Sequence, residues 1–148
     1  MTDDSIRAGE LAAPLPAATD AGVYFIGRIR TPWTNRRDCP RRGDPKDGPV
    51  CAIEIDERWL DALTGVEQHQ RLLVLYWMHQ ARRDLVLQTP RGSGPSGTFA
   101  LRSPVRPNPI ASSVVSLIER SGTVLKVRGL DCLDGTPLID LKPDRGTH

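Results

Sequence analysis

The feature that most restricts this chain is its punctuation: 13 prolines and 13 glycines within 148 residues. Proline removes a backbone donor and glycine raises the entropy cost of ordering, so both weaken helix interiors. A helix bundle is therefore disfavoured and a turn-rich, mainly β architecture is favoured. The tightest cluster is Arg102-Ser103-Pro104-Val105-Arg106-Pro107-Asn108-Pro109-Ile110. Its alternate prolines allow neither helix nor central strand, and they hold two arginines and Asn108 in fixed relation. A surface connection with solvated arginines and a loop presenting preorganised donors to an anion both fit that pattern.

Between such breaks lie short strand-like runs at Val23–Arg30, Val50–Ile55, Leu72–His79, Leu85–Thr89, Thr98–Leu101, Ser113–Arg120, Thr123–Leu130 and Leu138–Lys142. Ser113–Arg120 and Thr123–Leu130 flank Ser121-Gly122 and form a hairpin with a two-residue turn. Leu72–His79 carries apolar residues on both faces and reads as a buried central strand. Asp56 caps a short helix with Trp59, Leu60 and Leu63 on one face and Gly65 as its stop. The sum is a small closed or nearly closed β-barrel with one or two short helices and long loops. Residues 1–20 read as an Ala/Pro-rich acidic tail, mobile or a strap, 21–143 as the barrel domain, and 144–148 as a C-terminal tail.

Gly92-Ser93-Gly94-Pro95-Ser96-Gly97 matches G-x-G-x-x-G, but three prolines in the next twelve residues prevent the helix whose N-terminus would hold a pyrophosphate. It is a loop, and the fold is not Rossmann. Cys39, Cys51 and Cys132 are odd in number and form no CxxC pair, so they read as free thiols. The longest apolar run, Leu72 to Met78, is too short to span a bilayer. With Asp3 and Asp4 where a signal peptide carries positive charge, the expected location is cytoplasmic.

Charge is unevenly placed. The net charge is +2, yet residues 1–20 carry four acids and one base, which leaves +5 on the remainder. Between Arg28 and Arg42 six arginines face one acid. The loop Thr31–Gly48 that holds most of them is long enough to be functional or disordered, and arginine's planar fork suits carboxylate and phosphate. Asp131-Cys132-Leu133-Asp134-Gly135-Thr136-Pro137 reads as a turn. Its two carboxylates, hydroxyl and free backbone amides also suit ribose hydroxyls or a small polar ligand. His79 ends the most apolar strand, where a hydrogen-bonded core histidine is the ordinary outcome, and Gln80 beside it offers a pocket wall. Trp33, Trp59 and Trp77 read as packing residues, with Trp33 the most open to base stacking.

Taken in order, Gly27-Arg28-Ile29-Arg30-Thr31-Pro32-Trp33, Pro40-Arg41, Thr98–Ile110, Gly129-Leu130-Asp131 and Asp134–Pro143 resemble the TsaA or YaeB-like family, known as TrmO, over roughly Val23 to Pro143. The resemblance implies a small β-barrel, a homodimer, and an S-adenosylmethionine-dependent tRNA methyltransferase. Its implied target is N6 of threonylcarbamoyladenosine beside the anticodon of threonine tRNA. It also implies cofactor contacts from Pro40, Arg41, Arg42, His79, Gln80, Arg102, Ser112, Asp134, Gly135, Thr136 and Pro137. The surplus arginines Arg36, Arg37 and Arg106, with Asn108, are assigned to tRNA, and His79 or Asp134 to proton removal, without a metal. The chain departs from the family pattern at Arg42, Ala111 and Asp144. The alternatives are a non-catalytic nucleic-acid-binding barrel and a methyltransferase acting on another RNA or a small molecule.

Overall fold

The computed structural model describes residues 6–145. They fall into two compact units, one combining the N-terminal segment to Gly22 with Met78–Ala111, the other Val23–Trp77 with the chain from Ser112 onward. The barrel strands lie in the second unit, except for the first two residues of the strand Ile110–Ser121. No helix among the described residues is long and apolar enough to cross a membrane.

The first unit holds a three-stranded antiparallel sheet in the order β1 (Leu11–Ala12), β5 (Leu85–Gln88), β6 (Ser96–Gly97). Residues 7–13 are tied down here. Glu10 accepts the amides of Arg7 (2.8 Å) and Thr89 (2.9 Å), and Ala13 N–H donates to the Asp84 carbonyl. Those two backbone donors hold the Glu10 carboxyl below the usual carboxylate range. Thr98–Leu101, expected as a strand, is a 3₁₀ turn at Thr98–Ala100. The reason is polar burial: Thr98 is 3% exposed, its hydroxyl donates to the Leu85 carbonyl (2.7 Å), and it accepts from the Gln88 amide (2.8 Å). A straight strand has no such partners for the hydroxyl, so the chain turns to satisfy it. No α-helix follows the glycine loop, in keeping with the rejected dinucleotide motif.

In the second unit six strands close into a barrel: β2 (Gly27–Arg30), β3 (Cys51–Ile55), β8 (Val124–Arg128), β7 (Ile110–Ser121), β4 (Arg71–Trp77) and β9 (Thr136–Pro143), in that order around the wall. Ile29, Ile53, Leu72, Val74, Tyr76, Val115, Leu125, Val127 and Leu138 fill the interior, each 2% exposed or less. β4 alternates, with Leu72, Val74 and Tyr76 buried and Leu73, Leu75 and Trp77 half-buried. It is thus a one-face barrel strand that ends two residues before His79. Bulges at Leu117/Glu119 and Leu75/Tyr76 add the local bend that closure requires. The hairpin turn is Gly122-Thr123, one residue later than expected, because Ser121 pairs with Val124. Gly122 has φ +61° and Thr123 keeps a negative φ, as a type II′ turn demands.

Val23–Arg30 is shorter as a strand than its composition suggests. Only Gly27–Arg30 pair, because β3 ends at Ile55 and Asp56 turns away to cap a 3₁₀ helix over Glu57–Leu63. The cap is as expected: the Asp56 carboxylate accepts the Arg58 amide (3.1 Å). Val23, Tyr24 and Phe25 are left outside the ladder with 54%, 79% and 43% of their surface exposed.

Candidate functional site

The long arginine loop is ordered by local chemistry. Asn35 caps a 3₁₀ turn at Arg36–Asp38, and the Asp44 carboxylate accepts the amides of Lys46 (3.0 Å) and Asp47 (2.9 Å). Two contacts dock it on the barrel rim. Gly43 packs so closely on the Gly129 backbone that a methyl group would overlap the Gly129 carbonyl, and Arg128 Nε donates to the Gly48 carbonyl (3.1 Å). Gly129 needs its φ of +121° to make that approach, a conformation few other residues adopt.

The turn 131–135 sits against the start of the same loop. Thr31 Oγ1 donates to the Cys132 carbonyl (2.8 Å), Thr31 N–H to Asp134 Oδ1 (3.1 Å), and Asp134 N–H to the Trp33 carbonyl (2.7 Å). Gly135 N–H donates to the Ile29 carbonyl (2.7 Å) and Thr136 N–H to the Leu133 carbonyl (3.2 Å), with the Thr136 hydroxyl on that same oxygen (2.7 Å). The amides and hydroxyl that sequence left free for a ligand are therefore consumed inside the chain. Thr136 and Pro137 are buried and serve as scaffold, while Asp134 is exposed and accepts the Thr31 amide through Oδ1.

Beneath the turn lies a polar network absent from the sequence reading. Tyr76, 2% exposed, donates its hydroxyl to Asp131 Oδ1 (2.6 Å) and lies 2.8 Å from Ser113 Oγ. Because the phenol has one proton and gives it to the carboxylate, Ser113 is the donor of the second bond. Burial first, then the Asp131 charge and hydrogen bond, push the Tyr76 phenol far above its ordinary range. Cys132, also buried, is pushed up to about 12, mainly by burial with Asp131 adding to it. Burial raises Cys51 as well, and burial with the nearby Asp131 charge raises Cys39. All three are free thiols. The only signal for the network in the sequence is a tyrosine at an inward position of an otherwise apolar strand.

The expected site residues thus fall into two groups. Asp134, Gly135, Thr136 and Pro137 lie in the turn and the strand start that hold Thr31 and Trp33, while Pro40, Arg41 and Arg42 lie exposed further along the same loop, just before Gly43 packs on Gly129; Ser112 is half-buried near the start of β7, and Arg36 and Arg37 are exposed. His79, Gln80, Arg102, Arg106 and Asn108 belong to the other unit. There His79 and Gln80 occupy an exposed turn after β4, so His79 is not a core histidine. Arg106 folds back on its own loop, donating to the carbonyls of Leu101 (2.9 Å) and Ser103 (3.1 Å) with its guanidinium 6.0 Å from the centre of the Phe99 ring. Arg83 braces the same loop through the Pro107 carbonyl (2.6 Å). Asn108 and Arg102 are exposed. A separate cavity of about 240 Å³ lies at the opposite end of β9, bounded by Trp59, Leu63, His69, Leu72 and Asp140–Pro143.

Comparison with known proteins bears on the family and the fold. The model of the tRNA-methyltransferase O N-terminal domain matches residues 28–145. VirR of Rhizobium radiobacter, a probable S-adenosyl-L-methionine-binding protein, is 52% identical over 146 residues, covering 98% of this chain and 83% of that protein. The tRNA (adenine(37)-N6)-methyltransferase of Escherichia coli K12 is 35% identical over 130 residues, covering 80% of this chain and 55% of the relative. The crystal structure of TrmO from Pseudomonas aeruginosa superposes with a TM-score of 0.68 at 34% identity, over 85% of this chain and 56% of that one. The chain spans little more than half the length of these last two. Fold, motif order and likeness together define the class as the methyltransferases built on a small β-barrel rather than a Rossmann sheet. Within that class, the chain belongs to the tRNA-methyltransferase O family through its N-terminal domain.

Proposed function

We propose that this chain transfers a methyl group to N6 of threonylcarbamoyladenosine next to the anticodon of tRNA. The cofactor is S-adenosylmethionine, which the VirR relative is named for binding. The observation that carries the reading is the docking of the 31–48 arginine loop at two places, Thr31 and Trp33 against the 131–134 turn and Gly43 against Gly129. The groups there fit the cofactor's chemistry. Arg41 and Arg42 are exposed and have no carboxylate partner among the described residues, which suits the carboxylate of a methionyl group. Asp134 is exposed, with one carboxylate oxygen fixed by Thr31, and a carboxylate so placed suits a ribose hydroxyl donor.

When bound, the cofactor supplies an electrophilic methyl on a sulfonium. The chain's task is to hold the acceptor nitrogen in line with it, and proximity alone can account for several orders of magnitude in rate. Because a ureido-like N6 is a poor nucleophile, its proton needs an acceptor, and His79 and Asp134 are the assigned candidates. Arg102, Gln80 and Ser112 complete the proposed cofactor contacts, and Arg36, Arg37, Arg106 and Asn108 the proposed RNA contacts. Arg106 contributes mainly by stiffening its loop, given its two internal carbonyl bonds. We place the reaction in the cytoplasm and assign the active form as a homodimer. Val114 and Ile118, 37% and 43% exposed on β7, offer apolar surface for a second copy.

The test is transfer of labelled methyl to total tRNA, followed by nucleoside analysis. N6-methylated threonylcarbamoyladenosine is the expected product, and Arg102→Ala abolishes its formation with the fold intact. Cofactor binding without labelled tRNA returns the reading to another RNA or a small molecule, and no cofactor binding returns it to a nucleic-acid-binding barrel. If His79→Ala and Asp134→Asn both leave single-turnover rates unchanged at saturation, neither is the proton acceptor.

A further inference from the structure

Just ahead of β2 the chain displays aromatic rings that the barrel does not use. Tyr24 is 79% exposed and Phe25 43%, and neither pairs in the sheet. Each leans on a tryptophan: Tyr24 on Trp59 with ring centres 6.3 Å apart at 46°, Phe25 on Trp77 at 6.2 Å and 49°. These separations are those of favourable tilted aromatic pairs, so the rings are held in place while much of their surface stays exposed. The Arg28 guanidinium stands 5.8 Å from the centre of the Phe25 ring, in cation–π range, and has no carboxylate partner among the described residues. Its Nη1 also reaches the Gly135 carbonyl at 3.5 Å. The strip therefore ends on the 131–137 turn.

From this we infer that Tyr24, Phe25 and Arg28 form a stacking platform for unpaired nucleobases of the RNA, leading to the 131–137 turn. The inference rests on the RNA-methylating function proposed above and assigns that function a binding surface. Exposed rings stack on any base, and an arginine over a ring adds a cation for the neighbouring phosphate. A second copy of the chain fits this face less well. Tyr24 and Phe25 together offer on the order of 250 Å², against about 800 Å² per partner in a stable protein interface. An arginine at one end of a small apolar strip, with no carboxylate partner among the described residues, also suits a polyanion better than a like-charged copy of the same chain. Trp59 and Trp77, which sequence assigns to packing, do pack, but as the supports of this platform.

The test compares the full chain with Tyr24→Ala, Phe25→Ala and Tyr24→Trp. It measures binding of a synthetic threonine-tRNA anticodon stem-loop and of a blunt RNA duplex of equal length, over a salt series, with S-adenosylmethionine affinity followed by calorimetry. Each alanine variant is expected to weaken stem-loop binding roughly 5- to 150-fold. Duplex binding, cofactor affinity and the salt slope should stay as in the parent, because stacking releases no counterions. Tyr24→Trp retains or strengthens binding. Unchanged stem-loop affinity in both alanine variants overturns the platform, as does an equal loss on the duplex. Conversion of a dimer to monomers with RNA affinity intact overturns it in favour of a self-association surface. A parent protein that binds no RNA and methylates none removes the underlying function, and the platform with it. A parent that methylates tRNA while the variants bind it normally removes the platform alone.

Discussion

Removing the Tyr76 hydroxyl isolates the network under the site with little change of shape. Tyr76→Phe keeps the ring that fills the barrel and deletes the 2.6 Å bond to Asp131 and the acceptor 2.8 Å from Ser113. A buried hydrogen bond to a charged group contributes about 1.5–3 kcal/mol, and Ser113 recovers part of its loss by rotating. We therefore expect a destabilisation of about 2 kcal/mol at neutral pH, a shift on the order of 1 M in the urea midpoint with unchanged slope. The pH dependence supplies a sharper check. The phenol's folded pKa is raised, so its contribution is fully present below the unfolded tyrosine pKa of about 10 and is lost above it. The gap between parent and Tyr76→Phe should then narrow by about 1.4 kcal/mol per pH unit above about pH 10. Urea titrations of both proteins at neutral pH and near pH 11 measure this directly, since every other titration cancels in the difference. A gap under about 0.5 kcal/mol at neutral pH, or one that does not narrow in alkali, refutes the buried phenol–carboxylate pair.

Gly43→Ala places a methyl on the Gly129 carbonyl and should detach the arginine loop, lowering S-adenosylmethionine affinity in calorimetry far more than it lowers the thermal midpoint. Cys132, with its thiol pushed up to about 12, should resist alkylation at pH 8 until the protein unfolds, with half-buried Cys39 labelled first; mass spectrometry of timed samples reads the order. The same raised thiol adds stability that is present below an ordinary thiol pKa of about 8.5 and lost as pH rises towards 12. Ile118→Asp on the outward face of β7 should yield monomers in sedimentation with the barrel's circular dichroism intact.

What one stretch of chain decides by itself was legible from the sequence. Asp56 caps the turn after β3 because its carboxylate needs only the Arg58 amide two residues on. The prolines at 104, 107 and 109 forbid regular structure wherever they lie, and they also rule out the helix that a dinucleotide-binding glycine loop requires. The order of motifs likewise placed the chain in its family. The cap and the proline breaks rest on steric or hydrogen-bonding preferences that operate over a few residues, whereas the family placement rests on resemblance.

Where partners lie far apart in sequence, only the folded chain decided the outcome. The amides of Asp134 and Gly135 look like ligand donors until the Trp33 and Ile29 carbonyls, about a hundred residues earlier, are found to accept them. Thr98 looks like a strand residue until Leu85 and Gln88 claim its hydroxyl. Val23–Phe25 looks like the start of a strand, and becomes an exposed aromatic strip because the neighbouring strand stops at Ile55. The punctuation of the chain determined that it would be built of short strands and ordered loops. Closure of the barrel then chose which donors, rings and charges remain outward, since a polar group's availability depends on who its neighbours are in space.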